Sequence, residues 1–178
     1  MGFNKALLPI NGRALIMRVL DQVQLLTDEI LLSANDSSAY VCLGLPMVGD
    51  VFKSQGPLAG LHAAMLQSTR SLFLLLACDM PNLRESLLRT LISSAAGFDA
   101  AVPRTADGRC HPLCAVYRRT CLPTVERNLE WKVNRVTDIF IGSLLRVRWL
   151  DEAEGGFCEA DLANLNSPQD LRVYNLDR

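Results

Sequence analysis

The residue best placed for chemistry is Asp79, a single carboxylate at the end of the apolar run at residues 72–78. A short apolar run bounded by turn residues is typical of a strand buried on both faces, as in a parallel sheet covered by helices. Because ligands of open α/β sheets bind beyond the carboxyl ends of strands, Asp79 is predicted to line a crevice, where it could hold Mg²⁺. The alternative is that Asp79 caps the next helix.

Other polar groups follow or precede predicted strands in the same way. Asn35 ends the segment 29–35, Asp50 follows a short apolar segment, and Gly56 and Pro57 begin an Ala/Leu-rich helix. Such groups would converge at one edge of a sheet and suit a nucleotide: helix amides and a lysine for phosphates, and amide and carboxylate groups for base or ribose. Lys5 is the candidate phosphate partner, although a single lysine is more often a solvated surface residue.

Helices and strands alternate along the chain, with no internal repeat. Helices are predicted near 14–25, 36–45, 56–67, 84–96, 120–129 and 136–145, and strands at 5–10, 29–35, 46–48, 71–79, 99–102, 112–117 and 146–150. Asn11-Gly12 predicts a tight turn, and Ser167, Pro168 and Asp170 predict a capped helix near the end. This alternation predicts an α/β domain with a doubly wound, mostly parallel sheet.

Composition narrows the class of protein. A chain of 178 residues suits one domain, and its formal net charge of −1 does not suggest binding to nucleic acid or to a membrane surface. No apolar stretch is long enough to span a membrane. Six irregularly spaced cysteines are typical of reduced thiols in a cytoplasmic protein. A zinc site at Cys110, His111 and Cys114 is not favoured, because the segment from Pro112 reads as a strand, which points alternate residues to opposite faces.

Five short motifs occur in order along nearly the whole chain. They are MGFNKALL at 1–8, GPLAG at 56–60, ACDMP at 77–81, HPL at 111–113 and NLNSPQDL at 164–171. In this order, with Gly12 after the first, they resemble the motif series of molybdenum cofactor guanylyltransferases. The resemblance is specific at the level of the nucleotidyltransferase superfamily and less so for substrate, since relatives with the same motifs transfer CMP.

The resemblance implies a Rossmann-like fold of the nucleotide-diphospho-sugar transferase type, forming one domain over residues 1–178. Residues 1–100 would be its nucleotide-binding half and 101–178 its acceptor-binding half. The implied activity is the transfer of GMP from Mg²⁺-bound GTP to the terminal phosphate of molybdopterin, giving the guanine dinucleotide cofactor and pyrophosphate.

The resemblance also implies roles for individual residues. Lys5 and Asp79 would be catalytic, Asp79 would also bind the metal, and His111 and Asn166 would lie on the acceptor side. The implied GTP-binding residues are Lys5, Asn35, Asp50, Gly56, Pro57 and Asp79.

One departure from the family lies at the amino terminus. The family's first strand and Gly-rich loop, which precede its Met-Gly pair, have no counterpart before Met1. Without them, a gap would separate segments 29–35 and 71–78 and expose two apolar strand edges. We expect about twenty further residues upstream, enough for one strand and one loop, and in-frame DNA before Met1 would test this. The alternative is a complete but degenerate relative.

Three functions therefore remain open at the level of sequence. The first is a guanylyltransferase acting on molybdopterin, and the second is a cytidylyltransferase of the same fold. The third is a catalytically silent protein that docks with molybdoenzyme assembly proteins.

Overall fold

The computed structural model describes residues 4–165, in which helices and strands alternate. The helices are α1 (Leu15–Val23), α2 (Gly56–Gln67), α3 (Glu85–Ser94), α4 (Leu122–Glu130) and α5 (Glu152–Gly155). The strands are β1 (Pro9–Ile10), β2 (Arg13–Ala14), β3 (Leu32–Ser33), β4 (Met47–Val48), β5 (Leu72–Leu76), β6 (Ala100–Pro103), β7 (Cys114–Arg118) and β8 (Val147–Leu150). Short 3-10 turns occupy Lys5–Leu7, Ser38–Leu43, Arg119–Cys121, Val136–Phe140 and Glu159–Leu162.

Most of the predicted elements are present, several of them with shorter bounds. The helices predicted at 14–25, 56–67, 84–96 and 120–129 are confirmed, and so is the turn at Asn11-Gly12, which joins β1 to β2. Both turn residues have positive φ, 51° and 76°, as a type I′ hairpin turn requires. The helix predicted over 136–145 is only a 3-10 turn, and the extended segment predicted at 5–10 begins with another.

The strands form three separate sheets within the described residues. β1 pairs with β2 antiparallel, β3 pairs with β4 parallel, and the largest sheet has the order β5-β7-β6-β8. In the largest sheet β6 and β8 are parallel, whereas β7 runs antiparallel to both β5 and β6. The expected α/β fold is confirmed, but this sheet is mixed because a loop without a helix joins β6 to β7. Such a connection returns the chain antiparallel.

Helices cover both faces of these sheets. On one face α1 and α3 pack against alternate side chains of β5 (Leu72, Leu74 and Leu76), and on the other α2 and α4 pack against Phe73 and Leu75. The carboxyl ends of β5, β6 and β8 lie at one edge of the largest sheet, whereas β7 runs the other way. The carboxyl ends of β3 and β4 likewise lie together, and the predicted site residues follow the ends of β3, β4 and β5.

β5 is less buried than the sequence predicts, since all five of its side chains are partly exposed. It is the edge strand of the largest sheet, and no strand within residues 4–165 pairs with its free edge. β3 likewise pairs only with β4 among the described strands. An ion pair of 2.5 Å between Glu29 and Arg70 links the segments that precede β3 and β5. Helices do cover both faces of β5, as predicted, so its partial exposure comes from this free edge. Within residues 4–165, β3 and β5 belong to separate sheets, as the expected gap between the two segments requires.

One arginine ties the end of α2 to the start of β5. The guanidinium of Arg119 donates hydrogen bonds to the backbone carbonyls of Met65, Ser68 and Arg70, and it lies 5.3 Å from the centre of the Phe73 ring. Carbonyls at the end of a helix have no partner within the helix, so this side chain satisfies groups that would otherwise need water.

We expect Arg119→Met to lower the free energy of unfolding by about 1 kcal/mol, because it removes several charge-assisted hydrogen bonds at a partly exposed site. Urea denaturation would measure the change. The matched control is Arg146→Met, whose exposed guanidinium lies 4.0 Å from Asp99, and we expect it to have little effect. Equal stabilities of the two variants would contradict this role for Arg119.

Candidate active site

Asp79 lies three residues beyond the end of β5 and is held there by backbone hydrogen bonds. Ala77 N donates to Leu113 O (2.7 Å), and Leu165 N donates to Asp79 O (3.0 Å). The alternative of a helix cap is wrong, because α3 begins at Glu85 with Arg84 in the capping position. The segment after β5 therefore presents Asp79 at the rim of the sheet, as predicted.

The carboxylate of Asp79 lies in an unusual environment. Burial raises its pKa above the usual range for aspartate, and a hydrogen bond from its own backbone and the positive charge of Lys5 partly offset this effect. Its Oδ1 atom is buried and has no hydrogen-bond partner among residues 4–165. A buried carboxylate oxygen without a donor is costly for a protein to keep, which is a common feature of sites that bind a cation or a ligand.

Lys5 supplies the positive charge beside Asp79. It begins the 3-10 turn before β1, and the turn is fixed by a hydrogen bond from Tyr40 to the side chain of Asn4 (3.0 Å). Lys5 makes no ion pair within 4.0 Å of the described carboxylates, although its charge lowers the pKa of Asp79. Burial raises the pKa of neighbouring Cys78 to about 11, so this thiol is not a reactive group at neutral pH.

Asn35 and Asp50 meet at the carboxyl ends of β3 and β4. Asn35 Nδ2 donates to Asp50 Oδ2 (2.6 Å), and Asp50 N donates to Asn35 Oδ1 (3.1 Å). Ser33 Oγ also donates to Asp50 Oδ1 (3.4 Å), and Asp50 is buried. These hydrogen bonds link the ends of β3 and β4. A ligand that contacts the Asp50 carboxylate would use the lone pairs that remain free.

The start of α2 lies against the same strand ends. Gly56 has φ +67°, and no side chain caps the first turn, which also carries no acidic residue. A Cβ at Gly60 would lie 2.5 Å from Ser33 Oγ and 3.8 Å from Asp50 Oδ1. The absence of a side chain at Gly60 therefore lets α2 approach β3 and brings its uncapped amides close to the Asn35–Asp50 pair.

His111 lies near the carboxyl end of β5, in the loop that leads into β7. It precedes β7 and is two residues from Leu113, which accepts the hydrogen bond from Ala77. Its Nε2 is buried without a partner among the described residues, and burial lowers the pKa of its imidazole, so His111 is neutral at pH 7. The place of His111 on the acceptor side stays a prediction. Asn166 and the predicted cap at Ser167 lie outside the described residues.

The residues present can accommodate a magnesium ion. No group of three or more His, Cys, Asp or Glu side chains in the described part of the chain could hold a metal by itself. Mg²⁺ usually needs only one or two carboxylates and takes its other ligands from phosphates and water. Asp79, with its unpartnered Oδ1, fits that requirement.

A cavity of about 640 Å³ is lined in part by Pro81, Asn82 and Arg84, and neither Asp79 nor Lys5 lines it. Its charged side chains include two ion pairs: Arg13 with Asp21 (2.6 Å) and Arg84 with Asp161 (2.5 Å). We therefore place the candidate site at the strand ends. No helix within residues 4–165 is long and apolar enough to cross a bilayer.

Sequence reasoning missed one residue at this rim. Lys53 lies in the loop between β4 and α2, and its Nζ is 3.8 Å from the point where a Cβ on Gly49 would stand. Its side chain is exposed, and the signal that the sequence offered was its position between Asp50 and Gly56.

Solved structures define the fold of the protein. The fold matches molybdopterin-guanine dinucleotide biosynthesis protein A from Archaeoglobus fulgidus with a TM-score of 0.81 and 23% identity, covering 99% of this chain and 91% of that one. It also matches 2-C-methyl-D-erythritol 4-phosphate cytidylyltransferase from Thermus thermophilus, with a TM-score of 0.73, 16% identity and coverages of 97% and 92%. The fold is therefore that of the nucleotide-diphospho-sugar transferase class.

The chain belongs to the family of MobA-like NTP transferase domains, which its residues 1–140 match. It is 33% identical to a probable molybdenum cofactor guanylyltransferase of Pelotomaculum thermopropionicum, over 96% of this chain and 83% of that protein. The resemblance seen in the sequence motifs is thereby confirmed at the level of the family.

Proposed function

We propose that this protein is a molybdenum cofactor guanylyltransferase, which transfers GMP from GTP to molybdopterin and releases pyrophosphate. The observation that carries the proposal is the pairing of Asp79 with Lys5 at the strand ends: a buried carboxylate oxygen without a donor lies close to a lysine without an ion pair among the described residues. A metal-bound triphosphate would satisfy both groups at once. The names of relatives at about 30% identity support the choice of substrates.

The proposed reaction is an in-line displacement at phosphorus. An oxygen of the terminal phosphate of molybdopterin attacks the α-phosphorus of GTP and forms a new P–O bond. The bond from that phosphorus to the oxygen bridging the β-phosphate breaks, and pyrophosphate leaves. Such transfers need little covalent help, so the protein contributes mainly by positioning its substrates and stabilising charge.

The residues at the strand ends would have separate roles in binding the phosphates, the nucleoside and the metal. Lys5 would neutralise charge on the phosphates, the amides at the start of α2, beside Gly56 and Pro57, would face the nucleotide, and Asn35 and Asp50 would contact its nucleoside part. Bound Mg²⁺ would shield the triphosphate charge, and Asp79 would hold it. His111 and Asn166 would line the acceptor side.

Further parts of the proposal concern the rest of the chain and its surroundings. We assign the nucleotide-binding half to about residues 1–100 and the acceptor-binding half to about 101–178. We also propose a cytoplasmic location and contacts with molybdoenzyme assembly proteins. The six cysteines are free, which suits a reducing compartment.

A cytidylyltransferase remains the second candidate, because the fold is shared with a cytidylyltransferase. The test is incorporation of label from α-³²P-GTP or α-³²P-CTP into molybdopterin in the presence of Mg²⁺, together with calorimetric titration of both nucleotides. We expect binding and transfer with GTP and loss of transfer on addition of EDTA. Preference for CTP would favour the second candidate, and binding of neither nucleotide would favour a catalytically silent protein.

A further inference from the structure

We propose that the pterin ring of molybdopterin binds in a cavity beside β6 and β8, where the carboxylate of Glu152 accepts hydrogen bonds from its 2-amino and N3–H groups. This inference rests on the proposed function and extends it, since none of the residues assigned above recognises the pterin ring.

The first support is the cavity itself. It has a volume of about 540 Å³ and lies between the loop that follows β6 and the start of α5. Its polar lining consists of Arg104, Thr105, Asp151 and Glu152. A concave site of this size, with a few polar groups in its wall, is typical of small-molecule binding.

The second support is the position of the cavity relative to Asp79. Strand pairing aligns one residue of each strand in a row across the largest sheet: Leu74, Val116, Ala101 and Arg148. β5, β6 and β8 each end two residues beyond that row, so their carboxyl ends are level. Because neighbouring strands are about 4.8 Å apart, the ends of β6 and β8 lie roughly 10 to 14 Å from that of β5. This span suits an acceptor whose phosphate reacts near Asp79 and whose ring system extends along the edge of the sheet.

Backbone hydrogen bonds connect the two places through residues 111–113. Ala77 N donates to Leu113 O (2.7 Å) just before the metal-binding carboxylate, and His111 N donates to Pro103 O (3.0 Å) at the end of β6. The segment 111–113 therefore lies between the reacting phosphates and the cavity. An acceptor that occupied both places would pass this segment.

The third support is the arrangement of charge in the cavity. Arg104 and Glu152 both line it, but no ion pair within 4.0 Å joins them. Glu152 is partly buried, and its carboxylate has no partner among residues 4–165, whereas the guanidinium of Arg104 lies 5.8 Å from the centre of the Trp149 ring. Asp151 differs, because its Oδ1 accepts a hydrogen bond from Glu154 N (2.8 Å) at the start of α5. The cavity therefore offers a ligand an acceptor and a donor that are held apart.

The chemistry of the pterin ring matches this arrangement. One edge of its pyrimidine ring carries the 2-amino group, N3–H and the 4-oxo group in that order. The first two are adjacent donors that one carboxylate can accept together, and the third is an acceptor for a guanidinium group.

Guanine carries the same edge, so the position of the cavity decides between the two rings. The pair assigned to the nucleoside, Asn35 and Asp50, follows β3 and β4. An ion pair links the segments before β3 and β5, so these strands lie towards the free edge of β5. β6 and β8 lie beyond the opposite, paired edge of β5. We therefore assign the cavity to the pterin.

The test compares Glu152→Gln with wild type in GMP transfer from Mg²⁺-bound GTP at varied concentrations of molybdopterin. Glutamine keeps the size of the side chain but replaces one acceptor oxygen with an NH₂ donor, which would oppose a donor of the ring. We expect KM for molybdopterin to rise about tenfold, as for loss of a bidentate contact to a nucleobase. kcat and the calorimetric affinity for GTP should not change.

Two further variants make the result specific to the cavity. Arg104→Met should also raise KM for molybdopterin without changing the affinity for GTP. The matched control is Glu154→Gln, which removes the same charge from the same helix. Glu154 pairs with Arg148 (2.9 Å) and does not line the cavity, so this variant should keep the KM of wild type.

Other outcomes would overturn the inference in distinct ways. An unchanged KM for molybdopterin in Glu152→Gln would exclude the contact and leave the proposed function standing. An equal rise in KM for Glu154→Gln would attribute the effect to the loss of negative charge alone. A fall in GTP affinity with unchanged KM for molybdopterin would place guanine in the cavity. Wild-type protein that binds no nucleotide and transfers no GMP would overturn the proposed function and this inference with it.

Discussion

Replacing Asp79 with asparagine should reduce Mg²⁺-dependent GMP transfer by about 100- to 1,000-fold, which is the usual effect of losing a group that stabilises charge in the transition state. Asparagine has nearly the same shape as aspartate but lacks the charge that would hold the metal. Single-turnover transfer at saturating GTP would measure the effect. The control is Asp28→Asn, which changes an exposed carboxylate away from the rim.

The same substitution should make the folded protein more stable at neutral pH. Because burial raises the pKa of Asp79 in the folded chain, ionisation of this residue costs stability at pH 7. That cost disappears as the pH falls through the raised pKa towards the ordinary value. The stability advantage of Asp79→Asn over wild type should therefore shrink as the pH is lowered, which urea denaturation at several pH values would measure.

Two results would contradict this account of Asp79. Near-normal transfer by the variant would exclude the metal-binding role. A loss of stability at pH 7 would mean that the charged carboxylate contributes favourably to folding, for example through a closer interaction with Lys5.

Replacing Gly60 with alanine should lower the free energy of unfolding by about 2 kcal/mol, within the range for overpacking a tight contact. The added Cβ would lie 2.5 Å from Ser33 Oγ and 3.0 Å from Ser33 Cβ. Rotation of the serine could relieve only the first contact, because the second atom is attached directly to the backbone of β3. Alanine gains up to about 1 kcal/mol in helix propensity over glycine, which is too little to offset the clash.

This substitution should also weaken nucleotide binding, because α2 would move away from the Asn35–Asp50 pair. Urea denaturation and GTP titration of Gly60→Ala would measure the two effects. In the Gly60→Ala background, Ser33→Gly removes both clashing atoms, so the double variant should recover part of the lost stability and affinity. A single variant as stable as wild type, or a double variant with no recovery, would contradict the close packing of α2 on β3.

Much of the fold could be predicted from local patterns. Apolar spacing predicted α1, Pro57 marked the first turn of α2, and Asn11-Gly12 predicted the tight turn between β1 and β2. These features depend on a few neighbouring residues, whose backbone preferences and hydrophobic periodicity are fixed by the chain itself. The order of the motifs was likewise enough to identify the family.

The exposure of β5 and the direction of β7 could not be predicted from such local patterns. The apolar run before Asp79 predicted a strand buried on both faces, which the helices provide, but whether the edge of β5 is also covered depends on whether another strand lies beside it. Similarly, the direction of β7 depends on the path of the chain between strands, and not on the composition of the strand.

The sequence by itself determined which residue types were available for nucleotide chemistry and the order in which they occur. Only the tertiary structure decided that Asp79 is a rim carboxylate and not a helix cap, and that Asp50 is buried against Asn35 and Ser33. The physical reason is that burial, pKa and the availability of a hydrogen-bond donor depend on groups distant in the sequence. Those groups come together only when the helices pack across the sheets.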